Sequence, residues 1–109
     1  MPETLFFNMW RCPTAADQRE LLAAMQEEAP ALSAKPGFLG LTAWASAGGH
    51  IVIVRGRWES RAAFDAAIAN DAAAQAGRER LARHGTPSPD LFTLAFEVGP
   101  APQASTPAA

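Results

Sequence analysis

The 109 residues include a single cysteine, Cys12, so an internal disulfide is impossible and one chain can offer a metal only one thiolate. There is no excess of positive charge. Nine Lys and Arg stand against 11 Asp and Glu, a formal charge of −2, which leaves no basic footprint for nucleic acid. No apolar run approaches the roughly 20 residues of a membrane-spanning helix. The opening Met1-Pro2-Glu3-Thr4 also lacks the positive region and apolar stretch of a secretory signal, so a cytoplasmic protein without a membrane partner is expected. No phosphate loop, zinc-ligand spacing, Ser/His/Asp set or suitably placed pair of carboxylates is visible. No internal repeat is long enough to matter, and the only biased stretch is the Gly/Pro/Ala/Ser run from Gly99 to Ala109.

What is present is an ordinary globular composition, 49% apolar, at a length that suits one core. One domain is expected over residues 1–98, followed by a flexible C-terminal tail at 99–109 that has little to bury. The most informative stretch is the joint Trp58-Glu59-Ser60. There the β-rich run Ile51 to Arg57 ends on a large indole, and a serine then stands where it can cap a helix.

Leu5 to Cys12 is rich in large apolar side chains and stops at Pro13, as a strand would. Cys12 is then a half-buried strand residue. Thr14 can cap a first helix with Asp17 in its first turn, and Leu21, Leu22, Met25 and Ala29 recur at helical spacing. Pro30 should end or kink that helix, because an interior proline removes a donor and clashes with the turn before it. Phe38 to Trp44 reads as a second strand. It leads through Ser46-Ala47-Gly48-Gly49 into the Ile51 run, and two glycines between two such runs indicate a β-hairpin. Ser60 opens a second helix in which Phe64, Ala67 and Ile68 share a face. Asn70-Asp71 interrupts it before an alanine-rich stretch to His84, and Gly85, Pro87 and Pro89 end it. Leu91 to Val98 supplies the last strand.

The order β-α-β-β-α-β is that of an α+β ferredoxin-like sandwich, with two helices on one face of a four-stranded antiparallel sheet. Strands one and three should be neighbours. The other sheet face then lacks a cover, and aromatic residues on it would form a large apolar patch, so a homodimer is expected.

With the elements placed, the chain resembles the antibiotic biosynthesis monooxygenase family of dimeric α+β barrels. Phe7-Asn8, Pro36-Gly37-Phe38, Trp58-Glu59-Ser60 and Ala63-Phe64 carry the resemblance, in order, across residues 5–98. It implies a ferredoxin-like βαββαβ unit that pairs into a dimeric barrel. It also implies one of several activities, among them cofactor-free oxygenation of aromatic polyketides, quinol oxidation and haem degradation. Trp58 matches the tryptophan that lines the pocket of the polyketide oxygenases, and Asn8 matches a strand-one asparagine. Some of those oxygenases carry an asparagine four residues before the tryptophan and a tyrosine six after it. Here Val54 and Phe64 stand there. The haem-degrading members place their iron-ligand histidine at about the position of Gly77, with His50 and His84 too displaced to replace it.

The resulting expectation is a cofactor-independent monooxygenase that oxidises a small aromatic phenol, hydroquinone or anthrone with O2. An electron-rich ring can reduce dioxygen itself if a dry pocket binds it as the anion, so neither flavin nor metal is required. Asn8 and Trp58 are the candidate catalytic donors, and Trp10, Trp44, Phe64 and Ile68 the candidate substrate-binding surface. Each has a plainer reading beside it. Trp58 can anchor the core through its ring, Asn8 can make a structural hydrogen bond, and Met9 and Met25 can be core filler. Arg78, Arg80 and Arg83 can complement a helix end, His84 can be a surface residue, and Glu20, Glu27 and Glu28 can be solvated charges. Two other functions compete: an isomerase or cyclase using the same dry pocket for proton transfer, and a dimeric ligand-binding protein without catalysis.

Overall fold

A computed structural model of the chain describes residues 3–68 and 72–102. Strand β1 spans Thr4–Arg11, helix α1 Ala15–Ser33, strands β2 and β3 Phe38–Ala45 and Ile51–Trp58, helices α2 and α3 Arg61–Ile68 and Ala72–Leu81, and strand β4 Thr86–Phe92. The sheet order is β2-β3-β1-β4 with antiparallel pairing throughout. This is the ferredoxin-like arrangement, with strands one and three adjacent and the second helix in two pieces. The expected interruption at Asn70-Asp71 and the tail beyond residue 102 lie outside the described residues.

Strand parity divides the sheet into two chemically different faces, since alternate side chains point to opposite sides. Along β3 the even positions Val52, Val54, Gly56 and Trp58 are buried beneath the helices. In register, Phe6 lies opposite Gly56, Asn8 opposite Val54 and Trp10 opposite Val52, which puts these β1 residues on the same face. Two apolar clusters fill that layer. Trp10, Cys12, Leu21, Val52 and Val54 form one, and Trp58, Phe64 and Ala67 the other. Leu21 and Val52 are fully enclosed, and each contributes about 1.5–3 kcal/mol by leaving water.

Local chemistry sets the helix entries. Thr14 caps α1, its hydroxyl accepting the Asp17 N–H at 3.0 Å, and Ser60 caps α2 in the same way by accepting the Ala63 N–H at 3.1 Å. The buried Gln18 then ties α1 to the hairpin, donating from Nε2 to the Ile51 carbonyl at 2.9 Å and the Ser46 carbonyl at 3.2 Å. Arg80 on α3 pairs with Glu27 and, at 3.3 Å, with Glu28 on α1. Those two glutamates are still largely solvated, as expected, and in addition tie helix to helix. His84 likewise sits 3.7 Å from the Asp17 carboxylate instead of standing free at the surface.

Several expectations change. The last strand is Thr86–Phe92, not Leu91 to Val98. Pro87 and Pro89 are accommodated because β4 is an edge strand, where a residue without N–H costs no ladder bond on its outer side. Helix α1 continues through Pro30 to Ser33, whose hydroxyl donates to the Pro30 carbonyl at 2.9 Å. Its last turn is held by Leu32, which packs against the Trp58 cluster. Cys12 lies just beyond β1 and is buried. Met9 is not core filler, since its odd position on β1 places it on the face away from the helices, partly exposed. That face also holds the Phe7 and Phe92 rings in edge contact, with centroids 5.1 Å apart.

Candidate active site

The helices do not close fully onto the sheet. Between them lies a cavity of about 260 Å³ whose walls are mostly apolar. Phe6, Asn8 and Trp10 of β1 and Val54 and Trp58 of β3 form its sheet side. Met25 and Leu32 of α1, Phe64 and Ile68 of α2, and Leu81 of α3 form its helix side. Of the six residues expected from sequence, Asn8, Trp10, Trp58, Phe64 and Ile68 are therefore brought together around one space. Trp44 is not among its lining residues. It pairs with Ile53 in the β2–β3 register, hence faces the opposite side of the sheet, where it is 49% exposed and the Arg55 guanidinium lies 5.7 Å above its ring.

The Trp58 ring is buried, with edge contacts to Phe38 at 5.2 Å and Phe64 at 6.1 Å between centroids. Its indole nitrogen lies 3.4 Å from the point a Cβ on Gly56 would occupy, so a side chain at Gly56 would stand against that donor. Both plainer and functional roles are thus compatible in one residue: the ring packs, and the N–H has no partner among the described residues. Asn8 is half-buried, and its Oδ1 accepts the backbone N–H of Ser88 at 3.0 Å. Because only the oxygen of a carboxamide can accept, this bond fixes the oxygen on the β4 side and leaves the Asn8 NH2 on the other branch of the amide.

Charge enters the cavity from the helices, which sequence reading missed. Glu28 and Arg78 both line it. Arg78 donates to Gln75 at 2.7 Å, one turn back along α3, while Glu28 is committed to Arg80 and lies 3.2 Å from where a Cβ on Gly77 would be. The Leu21, Leu22, Met25 and Ala29 spacing on α1 signalled an inward face, but periodicity cannot show that two inward faces splay apart and leave a void between them.

The residues do not suit a haem or a bound metal. Gly77 lines the cavity and brings no imidazole. His50 is in the hairpin, with Nδ1 3.2 Å from the Cys12 carbonyl, and His84 is paired with Asp17, so neither lines the cavity. Among the described residues no group of three or more His, Cys, Asp or Glu could hold a metal ion. Among them, too, no helix is long and apolar enough to cross a membrane.

Antibiotic biosynthesis monooxygenase is the family model that matches the sequence, over residues 7–79. The chain belongs to that family. Solved structures of similar fold include SnoaB, a cofactor-independent oxygenase from Streptomyces nogalater, at a TM-score of 0.74 and 20% identity over 90% of this chain and 98% of that one. A monooxygenase from the gene ActVA-Orf6 of Streptomyces coelicolor, in complex with the ligand nanaomycin D, superposes at a TM-score of 0.78 and 23% identity over 92% and 94%. Rv0793 from Mycobacterium tuberculosis superposes at 0.72 and 15% identity, over 89% and 99%. At these identities the likeness shows the fold. No curated protein matches the chain. Within the family fold, the two positions where some oxygenases carry a hydrogen-bonding asparagine and tyrosine are cavity-lining and apolar here, Val54 and Phe64.

Proposed function

We propose that the protein is a cofactor-independent monooxygenase that takes a small, flat aromatic substrate, a phenol, hydroquinone or anthrone, into the cavity between sheet and helices. The observation that carries this reading is the pairing of a largely apolar cavity with two donors on its sheet wall that have no partner among the described residues, the Asn8 NH2 and the Trp58 indole N–H. An apolar enclosure excludes water and strengthens each hydrogen bond to a developing oxyanion. Trp10, Phe64 and Ile68 supply the surface against which an aromatic ring lies. Arg78 adds a cation that favours a deprotonated ligand. For an anthrone the balance is simple. The ring methylene becomes a carbonyl, one atom of O2 enters the substrate and the other leaves as water, so the substrate supplies all the electrons.

The working unit in this reading is a homodimer. Met9, Trp44 and Phe92 are all partly exposed and share the sheet face opposite the helices; a second copy covering that face would remove this surface from water. Light scattering at micromolar concentration is expected to give twice the chain mass.

Oxygen uptake with a panel of hydroquinones and anthrones tests the activity. Asn8→Ala and Trp58→Phe should each slow it ~10–1000-fold, the range for losing one preorganised donor, with the dimer intact. The apolar Val54 and Phe64 favour one competing reading, a dimeric protein that binds such ligands without turning them over. Tight binding with no oxygen consumption by the wild type would decide for it. Product formation without oxygen consumption would instead point to an isomerase or cyclase.

A further inference from the structure

We propose that the backbone N–H of Ser88 is a positioning group for this site: it holds the Asn8 carboxamide so that the NH2, not the oxygen, faces the bound ligand. The kinetic consequence rests on the monooxygenase reading; the structural one rests on hydrogen-bond geometry alone.

A carboxamide is nearly symmetric in shape, and a half-turn about its last bond exchanges an acceptor for a donor. Something must choose between the two. Asn8 Oδ1 accepts the Ser88 N–H at 3.0 Å, and the flipped amide would set NH2 against N–H, two donors facing each other. The sequence around Ser88 sharpens the choice. Its neighbours Pro87 and Pro89 have no N–H, so Ser88 carries the one backbone donor of the three, and Pro89 is the residue directly opposite Asn8 in the β1–β4 register. Two proline rings with φ locked near −65° also stiffen the strand on either side of the Ser88 peptide. With its only acceptor atom turned to β4, Asn8 turns a donor toward the cavity it lines.

Trp58 can only donate. Together the two side chains aim N–H groups at the cavity, while the one acceptor atom between them is turned to β4. Such a wall selects an oxygen that can accept twice and has no proton of its own, which means an aromatic oxyanion in preference to the neutral phenol. A phenol O–H directed at the same wall would meet no acceptor there. Edge prolines that look like strand breakers in the sequence thereby become part of the ligand's recognition, one residue removed from it.

The test uses the intact protein and a nitronaphthol, whose phenol and phenolate forms differ in colour and which is inert to oxygen. Bound to the wild type, its ionisation midpoint should lie below that of the free dye. Ser88→Pro removes the N–H and should return the midpoint toward the free value by about one unit, a tenfold loss of preference for the anion. Ser88→Ala retains the N–H and should restore the wild-type midpoint. Asn8→Asp keeps the acceptor for Ser88 but loses the donor, and should push the midpoint above that of the free dye. If Ser88→Pro does not fold or the dye does not bind, amide hydrogen exchange decides. The Ser88 N–H should be protected in the wild type and in Asn8→Asp, and lose that protection in Asn8→Ala. A midpoint indifferent to Ser88→Pro, or a Ser88 amide that exchanges alike with and without Asn8, overturns the proposal. The two readings fail separately: the dye and exchange pattern without oxygen consumption refutes the monooxygenase alone, and oxygen consumption without that pattern refutes the positioning alone.

Discussion

Gly37→Ala is expected to be among the most damaging single-methyl changes in the chain, and its cost can be worked from two independent sources. Gly37 sits at φ +81°, in the left-handed region, where any other L-residue loses about 1–2 kcal/mol. A Cβ built there would stand 2.5 Å from the Ala63 Cβ, well inside contact distance, and forcing a methyl into packed space costs a further 1–3 kcal/mol or so. The sum is roughly 2–5 kcal/mol, against the ~5–15 kcal/mol that holds a domain together. At about 4–8 °C per kcal/mol for a chain of this size, the melting temperature should fall by roughly 8–40 °C. Function should suffer as well. The Gly37 carbonyl accepts the Glu59 N–H at 2.8 Å, one residue after Trp58, so the same turn holds the indole's end of β3. A double-mutant cycle separates the two sources: Ala63→Gly in the Gly37→Ala background should recover about 1–3 kcal/mol by relieving the overlap, leaving the backbone cost in place. Thermal and urea melts give the numbers. A Gly37→Ala loss under about 0.5 kcal/mol, or no coupling with Ala63→Gly, would refute this account of the turn.

Two further outcomes are expected. Gly56→Ala should leave the melting temperature unchanged or slightly higher, since a methyl there meets the Trp58 nitrogen, Leu41 and Phe6 at 3.4–3.9 Å, ordinary contact distances, and the strand loses a glycine. It should nevertheless slow oxygen uptake by standing against the indole N–H; unchanged rates would show that this donor is not used. Burial, and then the Asp17 carboxylate, push the Cys12 thiol above its usual value. Since the unfolded chain deprotonates first, near pH 8.5, this contribution to stability is full below that pH and declines as pH rises toward the folded value. The urea midpoint of the wild type should therefore drop more steeply than that of Cys12→Ala above about pH 8.5, and parallel curves would count against a buried thiol.

Much of this molecule is local chemistry, and local chemistry is readable. The Thr14 and Ser60 caps, the inward stripe of α1, the alternation of β3 and the glycines of the hairpin turn each depend on residues within a few positions of one another. Their order was enough to imply the ferredoxin-like fold and the family. What the chain order could not reveal is which strand lies at an edge. Only the β2-β3-β1-β4 order makes the prolines of β4 permissible and shifts the last strand to Thr86–Phe92. The site divides in the same way. Asn8 and Trp58 were visible as polar donors in apolar strands, but the face each strand residue occupies follows from pairing register. That register sent Trp44 to the far side of the sheet and brought Asn8 within reach of Ser88, 80 residues away. Glu28 and Arg78 reached the cavity through the packing of α1 against α3, a contact between segments about fifty residues apart. Side-chain type and spacing determine which groups are available; the direction in which each one points is decided by hydrogen bonds and packing that close only when the whole sheet and the helices over it are assembled.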